Sequence, residues 1–139
     1  MNYNFRSRSW FRLAAVYFAV GVMLGVAMGA SGDHSLFPVP AHINLLGWVS
    51  MALFGLIGTV YPSITTGRIA AVQFWMHNIG VPVMLGALAL RIKGFPSVEP
   101  LVGVASIVVG GSALLFAWLI FTHVGAQSGS LRSAAQVYE

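Results

Sequence analysis

The stretch Ala41-His-Ile-Asn-Leu-Leu-Gly-Trp-Val-Ser50 opens a long apolar run with a histidine, an asparagine, a glycine and a tryptophan. A second stretch, Phe74-Trp-Met-His-Asn-Ile-Gly80, repeats the His-Asn pair, again with a glycine and a tryptophan close by. An apolar run of about 20 residues is long enough to cross a bilayer as a helix. Both stretches therefore predict membrane-spanning helices, and their polar residues are the first candidates for chemistry.

The composition of the whole chain agrees with a membrane protein. Of its 139 residues 58% are hydrophobic and only 7% are charged, whereas roughly a quarter of the residues of a soluble domain are charged. The net charge of +4 comes from residues in the tails and connections, so we predict no nucleic-acid partner. The chain has no cysteine, which excludes disulfides, iron–sulfur clusters and thiolate zinc sites.

Four apolar segments predict an all-α fold, an integral membrane four-helix bundle with helices at about residues 13–30, 41–61, 69–90 and 101–122. A basic segment, residues 1–12, precedes this domain of residues 13–122, and a polar tail, residues 123–139, follows it. The first apolar segment also resembles a signal peptide. Its run of about 18 residues is longer than the usual apolar region of such peptides, so we predict a retained helix.

Basic residues predict the orientation of the bundle. Four spans place both termini on one side, which then holds Arg6, Arg8, Arg12, Arg68 and Arg132, while Arg91 and Lys93 lie on the other side. Basic residues accumulate on the cytoplasmic side of a membrane protein. We therefore predict cytoplasmic termini and a multi-pass protein of the bacterial inner (cytoplasmic) membrane.

The polar residues inside the predicted spans limit the possible functions. No aspartate, glutamate, lysine or arginine falls within the four spans, whereas a proton pump or coupled transporter normally keeps one there. The polar residues that remain include His42, Asn44, Gln73, His77 and Asn78. A buried histidine either hydrogen-bonds to another helix or binds a metal, most plausibly haem iron, with its second ring nitrogen held by an acceptor.

Small and aromatic residues beside the histidines suit a porphyrin, which needs an apolar slot in the core of a helical bundle. The glycines that would make room are Gly47, Gly55, Gly58, Gly80 and Gly86, and the aromatic residues that would pack on the ring are Trp48, Phe54, Phe74 and Trp75. We predict haem b as the cofactor. The predicted cofactor-binding residues are His42, His77, Asn44, Asn78, Gly47, Trp48 and Trp75, and the candidate iron ligands are His42, His77 and His34.

The stretch from residue 41 to 50 resembles the second helix of subunit I of the haem-copper oxidase and nitric oxide reductase superfamily. Residues 13–90 also resemble short four-helix membrane proteins described as cytochrome c oxidase subunit I-like, which share the Ser-Gly-Asp loop and both His-Asn stretches in this order. The resemblance implies that His42 is an axial ligand of a low-spin haem, with His77 as the candidate second ligand.

The chain has no His-His pair, no His-x-x-x-Tyr pair and no acidic residue in its spans, so we do not predict a complete oxidase. Pro40 also stands where the short relatives often carry a histidine.

The axial pairing stays open at this level. Counting about 1.5 Å per residue along each helix places His42 and His77 roughly 15 Å apart in depth. His34 could instead fold in beside His42, or a symmetric dimer could pair two copies of His42. Gly21, Gly25 and Gly29 form a smooth face for a helix contact, within the monomer or in a homodimer.

Three functions remain as hypotheses. The first is a haem protein that transfers electrons to a redox partner or binds a diatomic gas such as O2 or NO, without a copper site. The alternative is a non-enzymatic accessory or assembly protein of a larger respiratory complex, with histidines that serve only as interhelical hydrogen bonds. The third is a small transporter or a quinone-binding protein that would use Gln73 and His77.

Overall fold

The computed structural model describes residues 3–124, and within that range the chain forms four long helices and no strand. The helices are α1 (Tyr3–Ser31), α2 (Pro38–Val60), α3 (Gly67–Ile92) and α4 (Glu99–His123). All four are long and apolar enough to cross a membrane. Their exposed side chains are largely big and apolar, as a lipid-facing surface requires. The all-α, multi-pass membrane fold predicted from the sequence is confirmed.

Helix α1 begins about ten residues before its predicted start, because nothing in the basic segment breaks a helix and arginine is a good helix former. Trp10 therefore belongs to the bundle, where its side chain is only 2% exposed. Helix α3 continues through Pro82, which cannot donate a hydrogen bond to the carbonyl of Asn78. Residues 125–139, which include Arg132 and most of the predicted polar tail, lie outside the described residues.

Helix α2 contains an unusual segment. Its α-helical start, Pro38–His42, passes into a π-helix over Ile43–Val49 and returns to an α-helix at Ser50–Val60. π-helical turns are rare and are often found at functional sites. This one coincides with the His-x-Asn-Leu-Leu-Gly-Trp run that the sequence singled out.

Two pairs of helices build the bundle, since α1 packs along α2 and α3 packs along α4. Glycines bring the members of each pair close together. A Cβ atom at Gly47 would collide with the side chain of Tyr17, one at Gly55 would press on Trp10, and one at Gly80 would lie 2.9 Å from Val109. Gly21 likewise faces α2, whereas nothing lies within 4 Å of such an atom at Gly25 or Gly29. Only the first glycine of the predicted stripe is thus used within the monomer.

Aromatic side chains join the two pairs in the core. The ring of Trp10 from α1 meets Phe54 of α2 at a centroid distance of 5.1 Å and Phe74 of α3 at 4.7 Å, both edge to face. Phe116 of α4 lies 4.2 Å from Phe54. Such pairs stabilise a core by about 0.5–1.5 kcal/mol each beyond their area burial. Trp10 therefore anchors α1 to the other helices.

The bundle has two ends with different charges. We call the end with the connections 32–37 and 93–98 the distal end, and the end with the start of α1 and the connection 61–66 the proximal end. At the distal end Asp33 lies 3.5 Å from Lys93, and Arg91 pairs with Glu99. Gly94, with φ of +99°, ends α3, and the following Phe95 amide returns to the carbonyl of Leu90 at 3.1 Å.

The Asp33 contacts predict a small pH effect on stability. A hydrogen bond from Ser35, and secondly the charge of Lys93, hold the pKa of Asp33 below its ordinary value of 3.8. A carboxyl whose pKa is lowered by folding stabilises the fold above its unfolded pKa and loses that contribution as pH falls through the folded value. Because both side chains are exposed, we expect only a slight fall of the unfolding temperature below about pH 4. Comparing the pH profiles of the wild type and Asp33→Asn checks this, since the two should converge in acid and separate at neutral pH.

Candidate functional site

His77 is the most enclosed ionisable side chain of the described residues, with 1% of its surface exposed. Its Nδ1 lies 2.8 Å from the hydroxyl oxygen of Ser112 on α4, and its Nε2 lies 3.1 Å from the carbonyl oxygen of Leu46 on α2. The rings of Trp10 and Phe54 stand edge-on to the imidazole at 5.7 and 5.0 Å. His77 thus ties three helices together, and a role as an iron ligand would require one of its hydrogen bonds to break.

The protons of this cluster can be assigned from the chemistry of its partners. The carbonyl of Leu46 can only accept, so Nε2 carries the proton and Nδ1 of a neutral ring accepts from the hydroxyl of Ser112. That hydroxyl oxygen also lies 2.7 Å from the carbonyl oxygen of Val109. The single hydroxyl proton of Ser112 can be donated either to Nδ1 of His77 or to the carbonyl of Val109, but not to both at once. With a neutral imidazole, one of these two acceptors therefore lacks a proton.

The π-helical segment supplies the carbonyl that His77 uses. Leu46 lies within Ile43–Val49, where hydrogen bonds span five residues instead of four. The amide and the hydroxyl of Ser50 both bond to the carbonyl of Leu45, five residues back. In the π-helical segment, backbone amides bond to different carbonyls than they would in an α-helix. The carbonyl of Leu46 accepts a hydrogen bond from the imidazole of His77 on α3. The two His-Asn stretches of the sequence therefore meet at this hydrogen bond.

His42 lies in a different environment from its sequence counterpart. Its side chain is exposed, and its Nδ1 lies 2.7 Å from the carbonyl oxygen of Pro38, one turn back along α2. The carbonyl can only accept, so this contact places the ring proton on Nδ1 and leaves Nε2 as a lone-pair donor. Metal-binding histidines commonly have this arrangement, with one nitrogen held by a carbonyl and the other free. His123 has the same bond to Leu119 at 3.0 Å, so the arrangement is not by itself diagnostic.

The two predicted asparagines behave alike. Asn44 donates its amide to the carbonyl of Pro40 at 3.1 Å, and Asn78 donates to the carbonyl of Phe74 at 2.7 Å. Each bond closes a turn of the residue's own helix. The side-chain oxygen of Asn44 is buried and has no hydrogen-bond partner among the described residues. Asn44 is thus the predicted site residue with an unused acceptor.

Protein side chains lie beside four of the five glycines that were predicted to make room for a porphyrin. Tyr17 fills the space beside Gly47, and the spaces at Gly55, Gly58 and Gly80 are filled in the same way by neighbouring helices. Trp48 is half-buried against Phe18, and Trp75 is exposed on the surface of the bundle. These four glycines allow close helix packing, whereas nothing lies within 4 Å of a Cβ atom built at Gly86. The lack of a side chain suits a helix contact and a cofactor equally, so the role of the glycines at a haem stays a prediction.

A groove lies at the distal end instead, between α1 and the start of α2. This distal groove has a volume of about 390 Å³ and is lined by Gly21, Val22, Gly25, Met28, His34, Phe37, Pro40, Ala41 and Asn44. Nδ1 of His34 lies 3.0 Å from the carbonyl oxygen of Gly32. The groove is therefore lined by one predicted ligand, His34, and by Asn44, whose side-chain oxygen is buried, and it lies immediately beside the turn that carries His42.

The depth difference between His42 and His77 is smaller than the sequence predicted. His77 bonds to Leu46, which follows His42 by one turn, about 6 Å along a helix. The two imidazoles nonetheless lie on different sides of α2, one inside the bundle and one outside. Within residues 3–124 no three histidine or acidic side chains come close enough together to hold a metal ion.

Comparison with protein-family models, with curated proteins and with solved structures finds no match to this chain. The resemblance to oxidase subunit I therefore stays a prediction that rests on the motifs themselves.

Sequence reasoning missed two residues of the buried cluster around His77. Ser112 is fully buried in α4, the helix whose sequence offers no recognisable motif. It is nevertheless a hydroxyl residue within an apolar span, and such a residue commonly bonds to a neighbouring helix. Trp10 was missed because it stands among arginines, although it precedes Ala14 by one helical turn and both are buried.

Proposed function

We propose that this protein binds haem b at the distal end of the bundle, with His42 as an axial iron ligand. It would be a protein of the bacterial inner membrane with cytoplasmic termini and a periplasmic distal end. Bound haem supplies reversible one-electron chemistry or a site for a diatomic gas. We do not propose oxygen reduction, because the chain lacks the His-His pair and the His-x-x-x-Tyr pair that the oxidases use at their copper site.

The arrangement of His42 is the observation that carries this proposal. The carbonyl of Pro38 fixes the tautomer through Nδ1 at 2.7 Å, and the exposed Nε2 is free to bind iron. No hydrogen bond to another helix would have to break, in contrast to His77. The residue also belongs to the motif that resembles the haem-binding helix of the oxidases.

A second copy of the chain would complete the site. His42 stands on the outside of the bundle, so one protomer covers only one side of a ring bound there. Gly25 and Gly29 leave open space on the same end of α1, where a helix of another copy could approach closely. A two-fold axis near this face would bring two copies of His42 towards one iron. His34 and Asn44 in the distal groove would then lie beside the ring.

The test is a reduced-minus-oxidised spectrum of the protein purified in mild detergent. We expect a Soret band and an α-band, which His42→Ala abolishes or shifts strongly. His123→Ala is the matched control because that histidine has the same bond to its own turn but lies at the proximal end. The proposal fails if no haem spectrum appears after haem supplementation, or if both variants behave alike.

The second candidate is a non-enzymatic accessory protein, and the environment of His77 favours it. Both ring nitrogens of that residue are used between helices, as the alternative hypothesis predicts for a histidine without a ligand role. A protein without haem that copurifies in fixed ratio with a larger membrane complex would support this candidate.

The quinone hypothesis has weaker support, since neither Gln73 nor His77 lines the distal groove.

A further inference from the structure

We propose that a second groove, between α1 and α3, binds one anionic phospholipid at the proximal end of the bundle. The phosphate would pair with Arg12, and the lipid would lie against the apolar wall of the groove, which includes Phe74 and Trp75. This site is separate from the proposed haem site at the distal end and does not depend on it.

The distribution of charge makes the proximal end attractive to an anion. The carboxylates of the described residues are Asp33 and Glu99, and both lie at the distal end in ion pairs. The proximal end carries Arg6, Arg8, Arg12 and Arg68. With no carboxylate to neutralise them among the described residues, these arginines favour an anionic leaflet.

Arg12 differs from its neighbour Arg6 in what it contacts. The guanidinium of Arg6 donates to the carbonyls of Thr65 and Gly67, the latter at 3.1 Å, and so closes the proximal connection onto α1. The guanidinium of Arg12 makes no hydrogen bond or ion pair with the residues of the range 5–124, whose side chains the structure describes. It stands near the proximal end of a helix that is long and apolar enough to cross a membrane, where basic residues attract anionic headgroups and where Arg12 has no counter-charge from the described side chains. A lipid phosphate would supply that counter-charge.

The groove beside Arg12 has walls that suit an acyl chain. This proximal groove has a volume of about 490 Å³ and is lined by Phe5, Ser9, Arg12, Leu13, Tyr17, Phe74, Trp75 and Asn78. It exists because α1 packs along α2 and α3 packs along α4, which leaves α1 and α3 apart except where Trp10 contacts Phe74 and where Arg6 bonds to Gly67. Most of the lining is apolar or aromatic, and the one charge is that of Arg12.

Two further polar side chains of the proximal groove, those of Tyr17 and Asn78, can donate hydrogen bonds to a phospholipid, whereas the hydroxyl of Ser9 donates to the carbonyl of Phe5. Tyr17 follows Arg12 by five residues, about 7.5 Å further along α1 and deeper in the bundle. Its hydroxyl has no hydrogen-bond partner within the described residues, and the amide of Asn78 is bonded only to its own turn. In a phospholipid the ester carbonyls follow the phosphate by one glycerol unit. Two donors placed behind Arg12 would bind those carbonyls, whereas a fatty acid has no second polar group and a quinone has no charge.

Native mass spectrometry of the full-length protein in non-ionic detergent tests the site. The probes are phosphatidylglycerol and phosphatidylcholine with identical acyl chains. We expect tighter binding of the first phosphatidylglycerol molecule, and Arg12→Gln should weaken it about tenfold, as the loss of a charge-assisted hydrogen bond predicts. Arg8→Gln removes the same charge from the same helix outside the groove and should leave binding close to that of the wild type.

A measurement on the wild type covers the case in which Arg12→Gln does not fold. Phosphatidylglycerol with brominated acyl chains should quench tryptophan fluorescence more than brominated phosphatidylcholine does, and Trp75→Phe should remove most of that difference. Equal losses in Arg8→Gln and Arg12→Gln would show a general charge effect and overturn the proposal. The proposal also fails if neither lipid is preferred, or if a quinone or a fatty acid is recovered from the purified protein in fixed ratio instead.

Discussion

Replacing His77 by leucine is expected to destabilise the bundle by about 2–3 kcal/mol, the largest loss at any histidine of the described residues. The change removes two interhelical hydrogen bonds, which in membranes contribute about 0.6 kcal/mol each on average and up to about 1.7. It also leaves the carbonyl of Leu46 inside the bundle without the imidazole that binds it. An unpaired buried acceptor adds a penalty of about 1–3 kcal/mol.

The measurement is the free energy of unfolding in mixed micelles, with His123→Leu as the matched control. That histidine is partly exposed and bonded within its own turn, so its removal should change stability little. A double-mutant cycle with Ser112→Ala separates the two contacts, and a coupling energy clearly above zero is expected for a direct bond. A His77→Leu variant as stable as the wild type would show that the imidazole does not hold the three helices together.

Replacing Gly47 by alanine is expected to cost about 1–3 kcal/mol, the usual price of overpacking a tight contact. The added Cβ atom would overlap Cβ and the ring of Tyr17, and a side chain cannot swing away at its own Cβ atom. Relief would require α1 to separate from α2, close to the bond between Leu46 and His77. We therefore expect lower stability together with weaker protection of the His77 ring from exchange.

Gly86→Ala is the matched control, because nothing lies within 4 Å of a Cβ atom at that position and Gly86 is outside the proposed contact between two copies. Alanine is a better helix former than glycine by about 1 kcal/mol, so this variant should be as stable as the wild type or slightly more stable. Equal losses at both positions would mean that glycine matters here for a reason other than close packing. A loss of stability in Gly25→Ala, in contrast, would point to a contact with a second copy.

The sequence predicts the fold well because length and hydropathy are enough to locate apolar spans. The predicted and observed limits of α2 to α4 differ by only a few residues, while α1 starts earlier because a basic residue does not stop a helix. The sequence also singled out His42 and His77, yet their environments could not be predicted from it. Whether a histidine faces inward depends on the phase of its helix, and the π-helical segment of α2 shifts that phase without a recognisable signal in the sequence.

The partners of the two histidines were beyond prediction for a related reason. Ser112 and Trp10 come from the helix with no motif and from the segment that appeared to precede the bundle. Their approach to His77 depends on how two helix pairs dock, which hydropathy does not encode. Gly47, Gly55 and Gly80 show the same limit, since a small residue leaves room equally well for a cofactor or for a neighbouring helix.

The π-helical segment sets the rotation, about the helix axis, of the first half of α2 relative to the second half. One residue turns a helix by about 100°, so a shortened segment that closed into a regular α-helix would rotate His42 by about that angle relative to Gly55 and Gly58. Those glycines fix the second half of α2 against its neighbours. The first half would have to turn instead, carrying His42 away from its outward position. The outward direction of this imidazole therefore depends on the number of residues in Ile43–Val49, and a single deletion there would alter it although His42 itself remained present.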